Sequence, residues 1–263
     1  MYEFAYERPV ALSDVLAKIA SGGQALAGGQ TLIAALKQRL AQPESLIDLA
    51  GVAELSGIRQ DGNTLVIGAM TKHETVADSA EVRQLIPALA ALAGNIGDRQ
   101  VRAMGTLGGS VANNDPAACY PSAVLALGAT VQTNQRQIAA DDFFQGMYTT
   151  ALEPGELITA IHFPVPLKAA YAKFRQPASR FALVGVFLAQ TSQGVRVAIT
   201  GAGNGVFRHA GLEAALSQSF TPEAVEGVAI DASELNGDLH ASAAFRAQLI
   251  KVQTQKAVQQ ANG

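Results

Sequence analysis

The spacing of apolar and polar positions changes repeatedly along the chain, and each change marks an element. Over 12–20, LSDVLAKIA, apolar residues fall at helical intervals; QALAGG then reads as a short strand ending in a turn, and TLIAALKQRL (31–40) resumes the helical period. The predicted order is helix, strand, glycine turn, helix. SLIDLAGV and TLVIGAMT read as strands, and GIRQDGNT between them carries hairpin-like turn chemistry at Asp61–Gly62. Residues 81–94, EVRQLIPALAALAG, present a second apolar-faced helix in which Pro87 marks a start or a kink.

GTLGGSVANNDPAACYP (105–121) reads as a loop, with Pro121 starting a helix to about Ala126. AVLALGATVQT and ELITAIHFP read as strand-rich segments separated by a loop, DDFFQGMYTT. FPVPLKAA (163–170) has the composition of a linker, which places a boundary near 167. Beyond it, YAKFRQPASRFALVGVFLAQT and GVRVAITGAGN read as two adjacent strands, followed by helical segments at about 209–217, in TPEAVEGVAI and over 241–261. The second half is therefore α+β. The expected units are 1–56, 57–167 and 168–263. No internal repeat, heptad array or low-complexity tract is present.

Composition narrows the function classes. The 263 residues are long enough for two or three small domains, or one large one, with substantial cores, and 49% hydrophobic content is that of an ordered globular chain. The longest apolar stretches, such as FALVGVFLA, fall short of a membrane span, and the charged N-terminus MYEFAYERPV is unlike a signal peptide. A cytoplasmic protein is expected. Lys and Arg total 19 against 22 acidic residues, without basic runs, which argues against a nucleic-acid partner. A single cysteine, Cys119, excludes an intrachain disulfide and a Cys-ligated cluster on this chain. His73, His162, His209 and His240 lack metal-ligand spacing and read as surface or half-buried residues. No metal site is expected here.

Candidate chemistry concentrates in two glycine-rich stretches. Ala27-Gly28-Gly29-Gln30-Thr31-Leu32 joins a predicted strand to a predicted helix, where glycines allow positive φ and close backbone approach. Thr31 is a candidate cap, and the first helical amides would face whatever sits in the turn. The turn has two readings, an ordinary tight connection or a phosphate site. It lacks both the GxGxxG and the GxxxxGK[ST] spacing. In the second stretch, Gly108 and Gly109 again permit close approach, and Thr106, Ser110, Asn113, Asn114 and Asp115 cluster donors and acceptors; successive amides there read as an anion nest. Asp115-Pro116 also reads as the cap of a short helical turn. Cys119 reads as a small buried hydrophobe.

AGGQTL at 27–32 and NIGDRQVRAMGTLGGSVANNDPAACYPSAVLAL at 95–127 resemble the two cofactor motifs of the FAD-binding medium subunit of the molybdenum hydroxylases, which include carbon monoxide, xanthine and aldehyde dehydrogenases. FAYERPVALSDVLA, LEPGELITAIHFP, YAKFRQPASRFALVGV and SAAFRAQLIKV extend the resemblance in order along nearly the whole chain. It implies an α+β fold of the vanillyl-alcohol-oxidase type, with two subdomains enclosing FAD and a smaller α+β C-terminal domain. It implies a small partner bearing [2Fe-2S] clusters and a large partner bearing the molybdenum cofactor, assembled as a dimer of heterotrimers. Electrons would pass from the clusters to FAD and on to an external acceptor.

By the same resemblance, Ala27 through Leu32 hold the FAD pyrophosphate. Thr106, Gly108, Gly109 and Ser110 contact the diphosphate and ribityl region, Asn113 and Asp115 lie close to the cofactor, Ile96 packs near the flavin ring, and Leu152 and Lys173 make contacts farther along. No side chain is assigned a catalytic role. Two positions depart from the family: Cys119 stands where many members have an acid, and Arg180 where many have Asp, just before Phe181, a candidate flavin cover. A self-contained FAD oxidoreductase and a non-catalytic nucleotide-binding module are the alternatives.

Overall fold

The computed structural model describes residues 1–263. The first stretch is β1 (Ala5–Glu7), α1 (Leu12–Ala20), β2 (Gln24–Leu26), α2 (Leu32–Lys37) and β3 (Ser45–Asp48). The strands form a parallel sheet in the order β1-β3-β2. Parallel neighbours need crossovers, and α1 and α2 supply them. Val15 of α1 and Ile47 of β3 are fully buried in a small core that also takes Leu49, Val52 and Leu55.

The second stretch opens with a hairpin of β4 (Ile58–Asp61) and β5 (Thr64–Gly68). The expected turn segment GIRQDGNT thus contains a strand of its own. Then come α3 (His73–Asp78), α4 (Ala80–Leu85), α5 (Pro87–Gly94), α6 (Arg99–Met104), α7 (Leu107–Asn113) and α8 (Tyr120–Ala126). Pro87 splits the expected helix of 81–94 by starting α5, since its ring cannot sit within a continuing helix. α8 matches the helix expected from Pro121 to about Ala126, and the overlapping reading of AVLAL as strand fails; every residue from Tyr120 to Ala126 is buried, so no polar face reveals the helical period.

The stretch continues through β6 (Thr130–Thr133), β7 (Gln137–Ala139), α9 (Ala140–Phe143), β8 (Phe144–Gly146), β9 (Thr149–Thr150) and β10 (Ile158–Pro164). The main sheet is antiparallel in the order β4-β5-β10-β6-β7. DDFFQGMYTT, expected as a loop, holds most of α9 and the β8–β9 pair.

The third stretch is an antiparallel sheet, β11 (Lys168–Arg175), β12 (Ala182–Thr191), β13 (Gly194–Thr200) and β14 (Phe207–Arg208), backed by α10 (Ala210–Gln218) and α11 (Ala243–Asn262). The first of the two expected strands is two strands, broken at the Pro177 turn. TPEAVEGVAI holds only a short 3₁₀ turn at Pro222–Val225. Along β12, Val184, Val186 and Leu188 pack with Leu249, Ile250 and Val258 of α11, whereas Phe187 and Ala189 point into the large core of the second stretch. Burial on both faces explains the unbroken apolar run FALVGVFLA.

Candidate cofactor site

Between β2 and α2 the backbone is tightly turned. Gly29 has φ +69, which glycine adopts without the Cβ penalty other residues incur. Gly28 is required for a different reason: a Cβ there would stand 2.2 Å from the Met104 carbonyl oxygen and 2.7 Å from Gly105 Cα. The first motif is therefore seated directly on the turn that precedes the second. The N–H groups of Ala27, Gly28, Gly29, Gln30, Thr31 and Leu32 donate to no acceptor in the chain. The carbonyl of Gly28 is taken by Gln30 Nε2 at 3.0 Å. Thr31 occupies the cap position of α2, but its side chain makes no capping bond, contrary to expectation. A row of free donors on a partly exposed turn, next to a helix start, suits an anionic diphosphate.

The second motif is a helix and not a loop. Thr106 Oγ1 accepts from Gly109 N at 3.2 Å and caps α7. Leu107 N donates to the Thr71 carbonyl at 3.0 Å, Gly108 N to that of Ala69 at 2.8 Å, and Ser110 N to that of Thr106 at 3.1 Å. The expected anion nest is thus ruled out, because those amides are already spent within the protein. Gly108 has neither a positive φ nor a free amide; a Cβ there would lie 2.5 Å from Ala69 Cβ, so its bareness lets α7 lie against the end of β5. Tertiary packing overrides the poor helix propensity of two adjacent glycines. A Cβ on Gly109 would be 3.4 Å from Ala27 Cβ, a second place where the motifs meet.

The side chains of Ser110 and Asn113 are half-buried and make no hydrogen bond within the chain. Asn114 ends α7 at φ +44 and donates through Nδ2 to the carbonyls of Gly146 and Thr149, both at 2.8 Å, tying α7 to β8–β9. Asp115 Oδ1 accepts from Ala117 N at 2.8 Å, which forms the expected turn, and Oδ2 accepts from the Tyr148 hydroxyl at 3.2 Å. Lys173 of β11 reaches back to the second stretch: Nζ donates to the Asn95 carbonyl at 2.6 Å and to that of Arg180 at 3.1 Å, and lies 3.5 Å from Cys119 Sγ. That brings it beside Ile96, which is half-buried against the main core. Leu152 also packs against that core and makes no hydrogen bond to either motif.

One important residue carried no usable signal in the sequence. His73, expected at the surface or half-buried, is only 4% exposed. Its N–H donates to the Gly105 carbonyl at 3.0 Å, and a Cβ on Gly105 would meet its Nε2 at 2.5 Å, so the imidazole supports the turn on which Gly28 sits. Its ring lies 5.3 Å from that of Tyr120. Burial, with a smaller contribution from Arg102, lowers the His73 pKa to about 4, and burial pushes the Tyr120 phenol up. The imidazole is neutral and structural at physiological pH.

Comparisons with known proteins give the family. The profile of the family described as "FAD binding domain in molybdopterin dehydrogenase" matches residues 2–166. The chain belongs to this family. Among its relatives, the carbon monoxide dehydrogenase medium chain of Hydrogenophaga pseudoflava is 34% identical, covering 94% of this chain and 94% of its own. The glyceraldehyde dehydrogenase medium chain of Sulfolobus acidocaldarius is 33% identical, covering 97% of each. The solved structure of reconstituted CO dehydrogenase from Oligotropha carboxidovorans matches with a TM-score of 0.89 at 31% identity, over 99% of this chain and 98% of that one. This member of the FAD-binding molybdopterin dehydrogenase family is an FAD-carrying oxidoreductase component with an α+β fold. No helix of it is long and apolar enough to cross a membrane.

Proposed function

We propose that this chain is the FAD-bearing electron-transfer subunit of a cytoplasmic molybdenum hydroxylase complex, built as a dimer of heterotrimers with a small [2Fe-2S] subunit and a large molybdenum-cofactor subunit. When bound, FAD supplies the redox chemistry that links the partner's clusters to an external acceptor. The chain's own task is to hold and orient that cofactor. Ala27, Gly28, Gly29, Gln30, Thr31 and Leu32 present backbone N–H groups to the pyrophosphate. Thr106, Gly109, Ser110, Asn113 and Asp115 line the facing side along α7, and Gly108 contributes by letting α7 approach β5. Ile96 and Leu152 offer apolar contact, and Lys173 closes the far end from the third sheet. A division at 1–56, 57–167 and 168–263 is supported by the three larger sheets, one in each unit, with the β8–β9 pair in the second.

The observation that carries this reading is the run of six unpaired N–H groups from Ala27 to Leu32, set against the Met104–Gly109 segment. Substrate choice belongs to the large subunit in this arrangement. Two relatives of nearly equal similarity, named for carbon monoxide and for glyceraldehyde, support that view. The test is the visible spectrum of the purified chain before and after acid precipitation, with mass identification of what is released, and metal analysis of whatever co-purifies. Flavin bands with FAD in the supernatant, and iron and molybdenum in the native complex, are expected. A colourless chain that takes up no added FAD would overturn the cofactor site, whereas a flavoprotein active alone would overturn the complex.

A further inference from the structure

Cys119, the chain's single cysteine, is 5% exposed, and other polar groups converge on it from β11. Lys173 Nζ stands 3.5 Å from Sγ and is held there by the carbonyls of Asn95 and Arg180 at 2.6 and 3.1 Å. Tyr171, two residues earlier and so on the same face of the strand, is 7% exposed, and its hydroxyl has no hydrogen-bond partner in the chain. Burial and then the proximity of Cys119 push that phenol well up. An orphaned hydroxyl against a thiol, beside an oriented ammonium, is not ordinary apolar packing. Cys119 as a small hydrophobe leaves the Tyr171 hydroxyl unexplained.

The thiolate is the form of a cysteine that reacts with peroxides. The resulting sulfenic acid has no second cysteine in the chain to close a disulfide with. The nucleophile within reach is the Lys173 amine. We propose that Cys119 and Lys173 form a redox modification site, closed by hydrogen peroxide into a sulfenamide bridge between the start of α8 and β11.

In the first step the thiolate sulfur attacks peroxide; an S–O bond forms, the O–O bond breaks, and hydroxide leaves and is protonated to water. Sulfur gives up two electrons and the peroxide gains them. In the second step Lys173, having released its ammonium proton to solvent, attacks sulfur; an S–N bond forms, the S–O bond breaks, and hydroxide again leaves as water. One thiol, one amine and one peroxide yield one S–N bond and two waters. A dithiol reverses the bridge, restoring thiol and amine. Closure staples the third sheet to the second stretch and withdraws Lys173 from the Asn95 carbonyl. Lys173 is also placed above at the far end of the FAD site, so the bridge is sought on the FAD-free chain.

The test treats the purified full-length chain with hydrogen peroxide, alkylates remaining thiol, digests under non-reducing conditions and maps peptides by mass. The expected product joins the peptides bearing Cys119 and Lys173, lighter by two hydrogens than their sum, and dithiothreitol returns both. Lys173→Arg and Cys119→Ser give no such product. Circular dichroism before and after treatment confirms that the wild-type chain stays folded. Oxygen adducts on Cys119 with Lys173 free would overturn the proposal. So would a linked pair retaining an extra oxygen, or a bridge between two copies of the chain.

Discussion

At the scale of single residues, glycine positions that look alike in sequence do different work. Gly62 sits in the β4–β5 turn at φ +57 with no atom within 4 Å of a built Cβ, so Gly62→Ala costs only the left-handed backbone penalty, about 1 kcal/mol. Gly28→Val instead drives a side chain into the Met104 carbonyl and displaces the free amides. We expect it to lower FAD affinity by about 100-fold or more, close to 3 kcal/mol, while the chain still folds. Equilibrium dialysis with FAD alongside a thermal melt separates the two effects. Stoichiometric flavin in Gly28→Val would refute the assignment of this turn.

His73 gives the second residue-scale prediction. Its folded pKa of about 4 lies below the unfolded value of about 6.5, so the unfolded chain binds the proton first. Stability from this group is full above about pH 6.5 and declines as pH falls toward about 4, where the folded imidazole itself titrates. The loss approaches about 3 kcal/mol on the scale of 1.4 kcal/mol per unit. Urea denaturation at pH 7 and pH 4.5 measures it: His73→Phe is expected to show a smaller fall than the wild type. Equal falls would show that other groups dominate the acid response.

At the scale of elements, legibility followed the visibility of a polar face. α1 and α11 were readable because each has one, and β12 because a both-faces-buried strand is one long apolar run. α8 is announced by Pro121 at its start although burial on all sides erases its period, whereas α7 is hidden behind Gly108 and Gly109, which argue for a loop until Ala69 is seen beneath them. The first motif was legible as a site because its strand–glycine–helix order is local. The role of His73 was not, since it acts through a turn 32 residues away in the chain, from His73 to Gly105. β12 supplies an element-scale prediction. Phe187 is 0% exposed and reaches the second stretch's core, so Phe187→Ala should cost about 3–5 kcal/mol. A lowered urea midpoint with an unchanged slope is expected, because the loss is one of packing. A cost below about 1 kcal/mol would mean the two cores are not joined through this strand.

At the scale of the whole molecule, the proposed site draws on all three stretches: Ala27–Leu32 on the first, Thr106–Asp115 on the second and Lys173 on the third. The protein's own ties between the second and third stretches are apolar, through Phe187 and Ala189, and also polar. Arg196 of β13 donates to the Leu125 carbonyl at 2.8 Å and pairs with Asp141 at 2.7 Å, and Gly201 N donates to the Pro116 carbonyl at 2.7 Å. FAD bound across them adds its binding free energy to the folded arrangement alone, by about 2.7 kcal/mol at a free concentration 100 times the dissociation constant. Calorimetry of the flavin-loaded chain should therefore show one cooperative transition, and removal of FAD should lower its midpoint and broaden it or split it. Adding FAD back should restore the wild type but leave Gly28→Val unmoved. If FAD shifted both proteins equally, the cofactor would be stabilising the chain without the Gly28 turn, and the pyrophosphate would have to be held elsewhere.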